Sequence, residues 1–409
     1  MRPDAPAGQH FSAPVVDGTT MFVTGPDALY AFDTSTGTQL WRDARDAPPV
    51  PVAVASVGKI RAVVYTTGRD ADTSKVIAVD AATGKEVWAA PVTLQDVSRT
   101  GLTIDGGRAF VGDESGHVYA VDLADGAIAW TGKTPGKLAG PVAVGGGVVV
   151  AVAAATDTST STTIVGFDES TGDESWSVVP DAAASFASLA TIVDGNAVVA
   201  FPEGTVQGLS LEDGTASWST RIPALVSPFV ASAAADGSVL VADSNGGVHR
   251  VTPVGDDGWL YEFNVAILRA SPVVVGHVVV LGLEDGSLGA VDRDSGHLVF
   301  HTAASSAPID GLAVTPDTLV VVRSGAGRPT ITGYTTDPDG RLLDEQSPTV
   351  PVPGDLALGF VLALAVGAVI VVPARMLGAR RRVEDPSETS GEDGRDERDE
   401  TDAPGQEWP

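Results

Sequence analysis

From about residue 11 to about residue 347 the chain alternates short apolar runs with turn residues. The runs "SPVVVG", "HVVVLGLEDG", "SLGAVDRDSG" and "HLVFHT", read in order from Ser271, are Val- and Leu-rich, and each closes on a turn signal. They are too short for helices and carry the β-branched residues of buried strands, so they predict four strands joined by tight turns. The same block returns along the chain. "LYAFDTSTGTQLW", "VIAVDAATGKEVW", "VYAVDLADGAIAW" and "IVGFDESTGDESW" end at Trp41, Trp88, Trp130 and Trp176. Steps between copies run from 40 to 47 residues, the length of one four-stranded propeller blade.

Aligned copies place Asp33, Gly37 and Trp41 in the same slots as Asp80, Gly84 and Trp88, Asp122, Gly126 and Trp130, and Asp168, Gly172 and Trp176. A weaker copy has Ser210, Gly214 and Trp218, a sixth is shifted at Trp259, a seventh reads Asp292, Gly296 and Phe300, and an eighth fades to Gly340 and Leu343. Six of the seven Trp residues occupy this one slot, which excludes coincidence. The expected chemistry is structural. Asp accepts hydrogen bonds from the turn that follows, Gly adopts the positive φ of that turn, and Trp fills the wedge between blades. Two residues before the Asp slot stands Ala31, Ala78, Ala120, Gly166, Gly208, Ala290 or Gly333, small enough for a ring to lie close; Arg250 breaks the rule.

These residues resemble the Trp-docking repeats of the PQQ-binding-like β-propeller family. The resemblance covers about residues 11 to 347 and implies an all-β, eight-bladed propeller of four-stranded antiparallel blades. It does not imply one activity. The family includes quinoprotein dehydrogenases, the propeller lipoprotein of the outer-membrane barrel-assembly machine and many non-catalytic surface proteins.

Charge limits the partners. The formal net charge of −28 disfavours nucleic acid and anionic lipid headgroups. The segment from Glu384 to Pro409 has eleven acidic residues against two Arg, which leaves −19 on the rest of the chain. Five Lys against twenty Arg, on so acidic a body, resembles the surface of halophilic proteins.

"LALGFVLALAVGAVIVV", Leu356 to Val372, is uncharged and, with its flanks, long enough for a single transmembrane helix at 355–374. Arg375, Arg380, Arg381 and Arg382 follow as a stop-transfer cluster, so the tail is expected in the cytoplasm and the propeller outside the cell membrane. The opening "MRPDAPAGQHF" has no apolar core, so an export signal is expected to precede residue 1; without one the propeller would be cytosolic and the chain tail-anchored, which the placement of the Arg residues disfavours. The expected organisation is a lead-in at 1–10, the propeller at 11–347, a Pro-rich linker at 348–354, the helix, and a disordered acidic tail over 375–409.

Catalytic chemistry is sparse. The chain has no Cys, and its six His residues are scattered; His297 and His301 flank Phe300 in a predicted strand, where a metal role is not expected. "TDPDG" at 336–340 reads as a β-turn rather than a calcium loop. The resembling dehydrogenases use a Cys pair in many members, a calcium, an Asp base and a Trp beneath the quinone. Here only Asn196, Asn245 and Asn264 offer an Asn ligand, and every blade Trp is assigned to docking. No catalytic residue, metal or cofactor is therefore expected, and a PQQ-dependent dehydrogenase is the last alternative. The leading reading is a non-catalytic protein-binding or scaffold module; an envelope assembly factor is second. Loops 66–75, 154–163 and 323–329 are longer than the corresponding "DESG" at 113–116. They should rise from one face, the candidate surface for a protein partner.

Overall fold

The computed structural model describes residues 11–351 apart from 26–27, 69–71, 155–161, 181–189, 224–228, 234–236, 243–244, 253, 266, 268–271, 306, 316–317, 324–329, 337–341 and 343–348. The chain divides into two units, Met1–Gly359 and Phe360–Pro409, and every described residue belongs to the first. The apolar stretch expected to cross a membrane, the arginines 375 and 380–382 and the acidic tail lie outside the described residues. Among the described residues no helix is long and apolar enough to cross a membrane.

The strands form eight four-stranded antiparallel sheets, each made of four strands consecutive in sequence. The blades span 15–43, 53–93, 103–133, 143–178, 191–221, 229–262, 273–301 and 309–351. Blade 1 is Val15–Asp17, Thr20–Thr24, Leu29–Asp33 and Gln39–Asp43. Second and third strands are buried almost end to end, as in Thr20–Thr24 and Leu29–Asp33, because neighbouring blades cover both their faces. That explains their continuous apolar runs. Fourth strands such as Ile128–Lys133 alternate exposed and buried residues, as expected of an outer edge.

One apolar cluster sits at each of the eight seams. Phe22, Ala31 and Trp41 meet Val63, Ile77 and Val79 between blades 1 and 2, and equivalent sets continue round the ring. The last seam brings Val320, Val322 and Ile331 of blade 8 against Met21, Val23 and Tyr30 of blade 1. The disc is therefore a closed eight-bladed propeller. Among the described residues no strand is exchanged across the closing seam. Instead Phe11 N–H donates to Asp310 Oδ2 at 3.1 Å, and Ala13 lies so close to Gly311 that a Cβ there would sit 2.3 Å from its Cα.

The eighth blade ends on Thr349–Pro351, whose register pairs Thr330 with Pro351 and Thr332 with Thr349. The propeller thus runs into the stretch assigned above to a Pro-rich linker from 348. Pro351 is compatible with this place because an outer strand needs no N–H on its solvent side.

Candidate functional site

In five blades the third and fourth strands pair so that the slot ring lies opposite the small residue: Ala31 with Trp41, Ala120 with Trp130, Gly166 with Trp176, Gly208 with Trp218, and Ala290 with Phe300. A register shift follows each of these pairs, and such bulges re-aim the side chain beside them. The indole points across the seam to the next blade. Trp41 Nε1 donates to Ala81 O at 2.9 Å, Trp88 to Leu123 O at 2.8 Å, Trp130 to Glu169 O at 2.9 Å, Trp176 to Leu211 O at 2.8 Å and Trp259 to Arg293 O at 2.9 Å. Every acceptor is the residue just after an Asp or Ser slot. This hydrogen bond was not legible in the sequence, although the constant spacing contained the signal.

Each ring also lies on the turn glycine of the next blade. A Cβ on Gly84 would stand 2.8 Å from Trp41, on Gly126 2.9 Å from Trp88, on Gly172 2.4 Å from Trp130, and on Gly214 2.7 Å from Trp176. These glycines, with Gly37 and Gly296, have φ between 68° and 78°, which L side chains adopt only with strain. Asp33, Asp80, Asp168 and Asp292 cap the same turns; Asp168 Oδ1 accepts from Ser170 N–H at 2.9 Å and Thr171 N–H at 2.8 Å. Asp122 differs, taking Arg108 Nε at 3.0 Å.

Two copies depart from the pattern for visible reasons. In blade 6 the turn is one residue shorter: Thr252 takes the Asp slot, and Gly255, at φ 84°, lies beneath Trp218. Trp259 appears shifted because of that deletion, and it still faces Arg250, whose Nε turns aside to Ser238 Oγ at 3.0 Å. In blade 2 the fourth strand is reduced to Val92–Thr93, so Trp88 lies before it rather than in it, yet it remains buried and docked.

The three long loops join second to third strands in blades 2, 4 and 8, between Ile60–Thr67 and Lys75–Asp80, Val148–Ala153 and Thr163–Asp168, and Thr318–Arg323 and Thr330–Thr335. The central residues of all three are outside the described residues. The corresponding hairpin of blade 3 is described fully. Asp113 is buried and accepts from Tyr119 Oη at 2.7 Å, His117 N–H at 2.8 Å and the His117 ring at 2.9 Å. Burial first, and the Asp113 carboxylate after it, push the Tyr119 phenol above its ordinary range. Gln95 N–H, from the segment joining blades 2 and 3, donates to the same phenol at 3.0 Å. Beside this polar layer a cleft of about 260 Å³ is lined by Arg99, Thr100, Asp113, Glu114, Lys137 and Leu138. Arg99 pairs with Glu114 at 3.0 Å. The mixed charges suit polar contacts with another chain more than a single small anion.

Among the described residues Ser287 Oγ lies 3.0 Å from His301 Nε2 and donates to Asp285 Oδ1 at 2.5 Å. Ser287 is wholly buried and closes a hairpin, so a substrate does not reach it. His297 enters only through its backbone, bonding Ser295 Oγ and Asp292 N–H. Among the described residues no group of three or more His, Asp or Glu side chains is placed to hold a metal ion.

Eight four-stranded blades locked by an indole across successive seams define a PQQ-like β-propeller. The family model described as outer membrane protein assembly factor BamB matches residues 4–100 and 72–227, and the chain belongs to that family. It is 24% identical over 330 residues to BamB of Burkholderia pseudomallei, covering 68% of this chain and 82% of that one. It is 26% identical over 237 residues to BamB of Moranella endobia, and 29% identical over 247 residues to BamB of Escherichia coli. In these two the chain spans about half the relative's length, 52% and 53%, with 55% and 58% of this chain covered. Among solved structures, the computationally designed Ika8 protein superposes with a TM-score of 0.63 at 16% identity, covering 79% of this chain and 96% of that one. BamB from Moraxella catarrhalis gives 0.57 at 19%, covering 80% and 93%. These two likenesses establish the fold.

Proposed function

We propose that the chain is a non-catalytic propeller that binds polypeptides during the assembly of envelope protein complexes. The observation that carries this is the family match over the blades, since the matching relatives are named as assembly factors and not as enzymes. The polar, mixed-charge cleft beside the blade 3 hairpin supports it, because such a surface suits an extended segment or loop. The long loops of blades 2, 4 and 8 join the same pair of strands as that hairpin, and on this reading they belong to the same binding surface. Tethering by one helix over 355–374, with the propeller outside the cytoplasm, would hold that face near membrane proteins as they mature. A role on outer-membrane barrels needs an outer membrane; in a cell with one membrane the same disc serves as a surface scaffold.

The test is capture from native membranes by the full-length protein, beside a variant whose loops 66–75, 154–163 and 323–329 are cut to the four-residue length of "DESG". A partner held at fixed stoichiometry by the first and lost by the second is the expected result. Identical capture by both would remove the loop face from the proposal, and capture of nothing by either would remove the binding role.

A further inference from the structure

We propose that Asp113, Tyr119 and His117 form a positioning layer, kept at a cost to fold stability, that shapes the blade 3 cleft in which a partner polypeptide docks. This rests on the reading of the propeller as a protein-binding module and names the residues that set its contact.

The molecule supplies its own comparison. Second and third strands are joined by the same turn in blades 3, 5 and 7, where Asp113, Phe201 and Leu283 stand in one position. Each donates its N–H to the carbonyl four residues on, Asp113 to His117 at 3.0 Å, Phe201 to Thr205 at 2.8 Å and Leu283 to Ser287 at 3.0 Å. Gly116, Gly204 and Gly286 then return their N–H groups to the carbonyls of Asp113, Phe201 and Leu283 at 3.1, 2.9 and 3.0 Å. Asp113, Phe201 and Leu283 are all buried. The turn therefore closes equally on Phe, Leu or Asp, and does not itself require a carboxylate.

A buried carboxylate is costly unless donors surround it. Asp113 has Tyr119 Oη, the His117 N–H and the His117 ring. Where Tyr119 pairs with Val111, the other two blades pair Gln207 with Val199 and Gly289 with Leu281. The phenol and the carboxylate thus occur together in blade 3 and are both replaced in blades 5 and 7. Departure from a local rule that the rest of the molecule obeys marks a functional site.

The layer holds two walls of the cleft together. Asp113 has no exposed side-chain surface, so it acts through the turn that contains it. That turn presents Glu114, whose N–H donates to Val97 O at 2.8 Å and whose carboxylate pairs with Arg99 at 3.0 Å. Tyr119, through Gln95 N–H at 3.0 Å, ties down the segment between blades 2 and 3 that carries Arg99 and Thr100. Lys137, Leu138 and Ala139 supply the third wall. Charged groups of both signs around a buried Leu138 match a polypeptide segment that offers polar and apolar groups in turn.

The test transfers the apolar chemistry of the other blades to the full-length protein as Asp113→Leu, His117→Ser and Tyr119→Phe together. Removing the carboxylate with its side-chain donors leaves no buried charge unpaired, so this variant should melt at the parent's temperature or above it. Contact is read by photo-crosslinking in native membranes, with benzoylphenylalanine replacing Ala139 in the cleft or Lys59 in the first turn of blade 2, at the other ends of the strands. The parent should crosslink one polypeptide from position 139 and none from 59, and the triple variant should lose that product by about tenfold or more. Asp113→Asn, which keeps an acceptor for the Tyr119 and His117 donors, should retain it within about threefold. A triple variant that melts below the parent would make the layer structural and overturn the proposal. Undiminished crosslinking by that variant would overturn it as well, while leaving the binding reading intact. Loss in Asp113→Asn as complete as in the triple variant would overturn the positioning role in favour of the charge itself. Equal products from 59 and 139 would overturn the choice of cleft, and no product from either would remove the binding reading and this proposal together.

Discussion

At the scale of the residue, one indole performs three tasks that the repeat spacing alone leaves unresolved. Trp176 fills the seam, satisfies the Leu211 carbonyl and excludes side chains from Gly166 and Gly214. Trp176→Ala should destabilise the protein by about 3–5 kcal/mol in denaturant titration, whereas Trp176→Phe should recover much of the apolar contact and lose about 1–3 kcal/mol for the unpaired carbonyl. Equal losses for the two variants would remove the hydrogen bond from the explanation. The capping aspartates make a pH prediction. Serine hydroxyl donors first, and backbone N–H donors beside them, hold Asp33, Asp168 and Asp292 below the ordinary carboxylate range. A carboxyl whose pKa falls on folding stabilises the native state above its unfolded value, and that contribution disappears as pH drops through the folded value. Melting temperature should therefore fall below about pH 4, and the triple variant Asp33→Asn, Asp168→Asn, Asp292→Asn should show a shallower fall. A parallel fall in both proteins would contradict the turn-capping account.

At the scale of the element, the blade was legible because both faces of its middle strands are buried. Runs such as "VVVAVA" at 148–153 show no alternation that could be mistaken for a surface strand, and turn residues close them at regular distances. What the pattern concealed was long-range pairing. Arg108 bonds the carbonyls of Glu169 and Ser170 on the next blade, and Tyr119 reaches Asp113 and Gln95 beneath the loop face. Neither follows from spacing, since each depends on which blade is adjacent and how its strands are staggered. The shifted copy at Trp259 was visible as an irregularity, but only the shortened turn at Thr252–Gly255 explains it. At this scale Tyr119→Phe should cost about 1.5–3 kcal/mol by leaving the buried Asp113 carboxylate one donor short. Amide exchange should accelerate at Gly116 and His117 more than in the other hairpins; unchanged protection there would mean that the phenol does not organise the hairpin.

At the scale of the whole molecule, closure among the described residues rests on side-chain and backbone contacts between blades 8 and 1. The ring of Phe11 lies over Gly25, where a Cβ would come within 2.4 Å, and sits 6.1 Å from the ring of Tyr30, while its N–H anchors on Asp310. Phe11→Ala should lower stability by about 3–5 kcal/mol, and the loss should be global, because a ring missing one seam loses the closure that couples its blades. Loss confined to blades 8 and 1 in hydrogen exchange would show that the seams act independently. Fold class and blade number could be read from the repeat, whereas the binding surface could be read only as loop length. Loops carry function by the groups they present, and sequence spacing does not say which groups converge.

The most direct measurement is native mass spectrometry of the full-length protein, purified from its own membranes in mild detergent, with an absorbance spectrum of the same sample. The propeller described here should carry a second polypeptide at fixed stoichiometry and no quinone mass or chromophore. A quinone bound at one equivalent, with turnover of an alcohol or sugar substrate, would contradict the non-catalytic reading and make this chain a cysteine-free dehydrogenase.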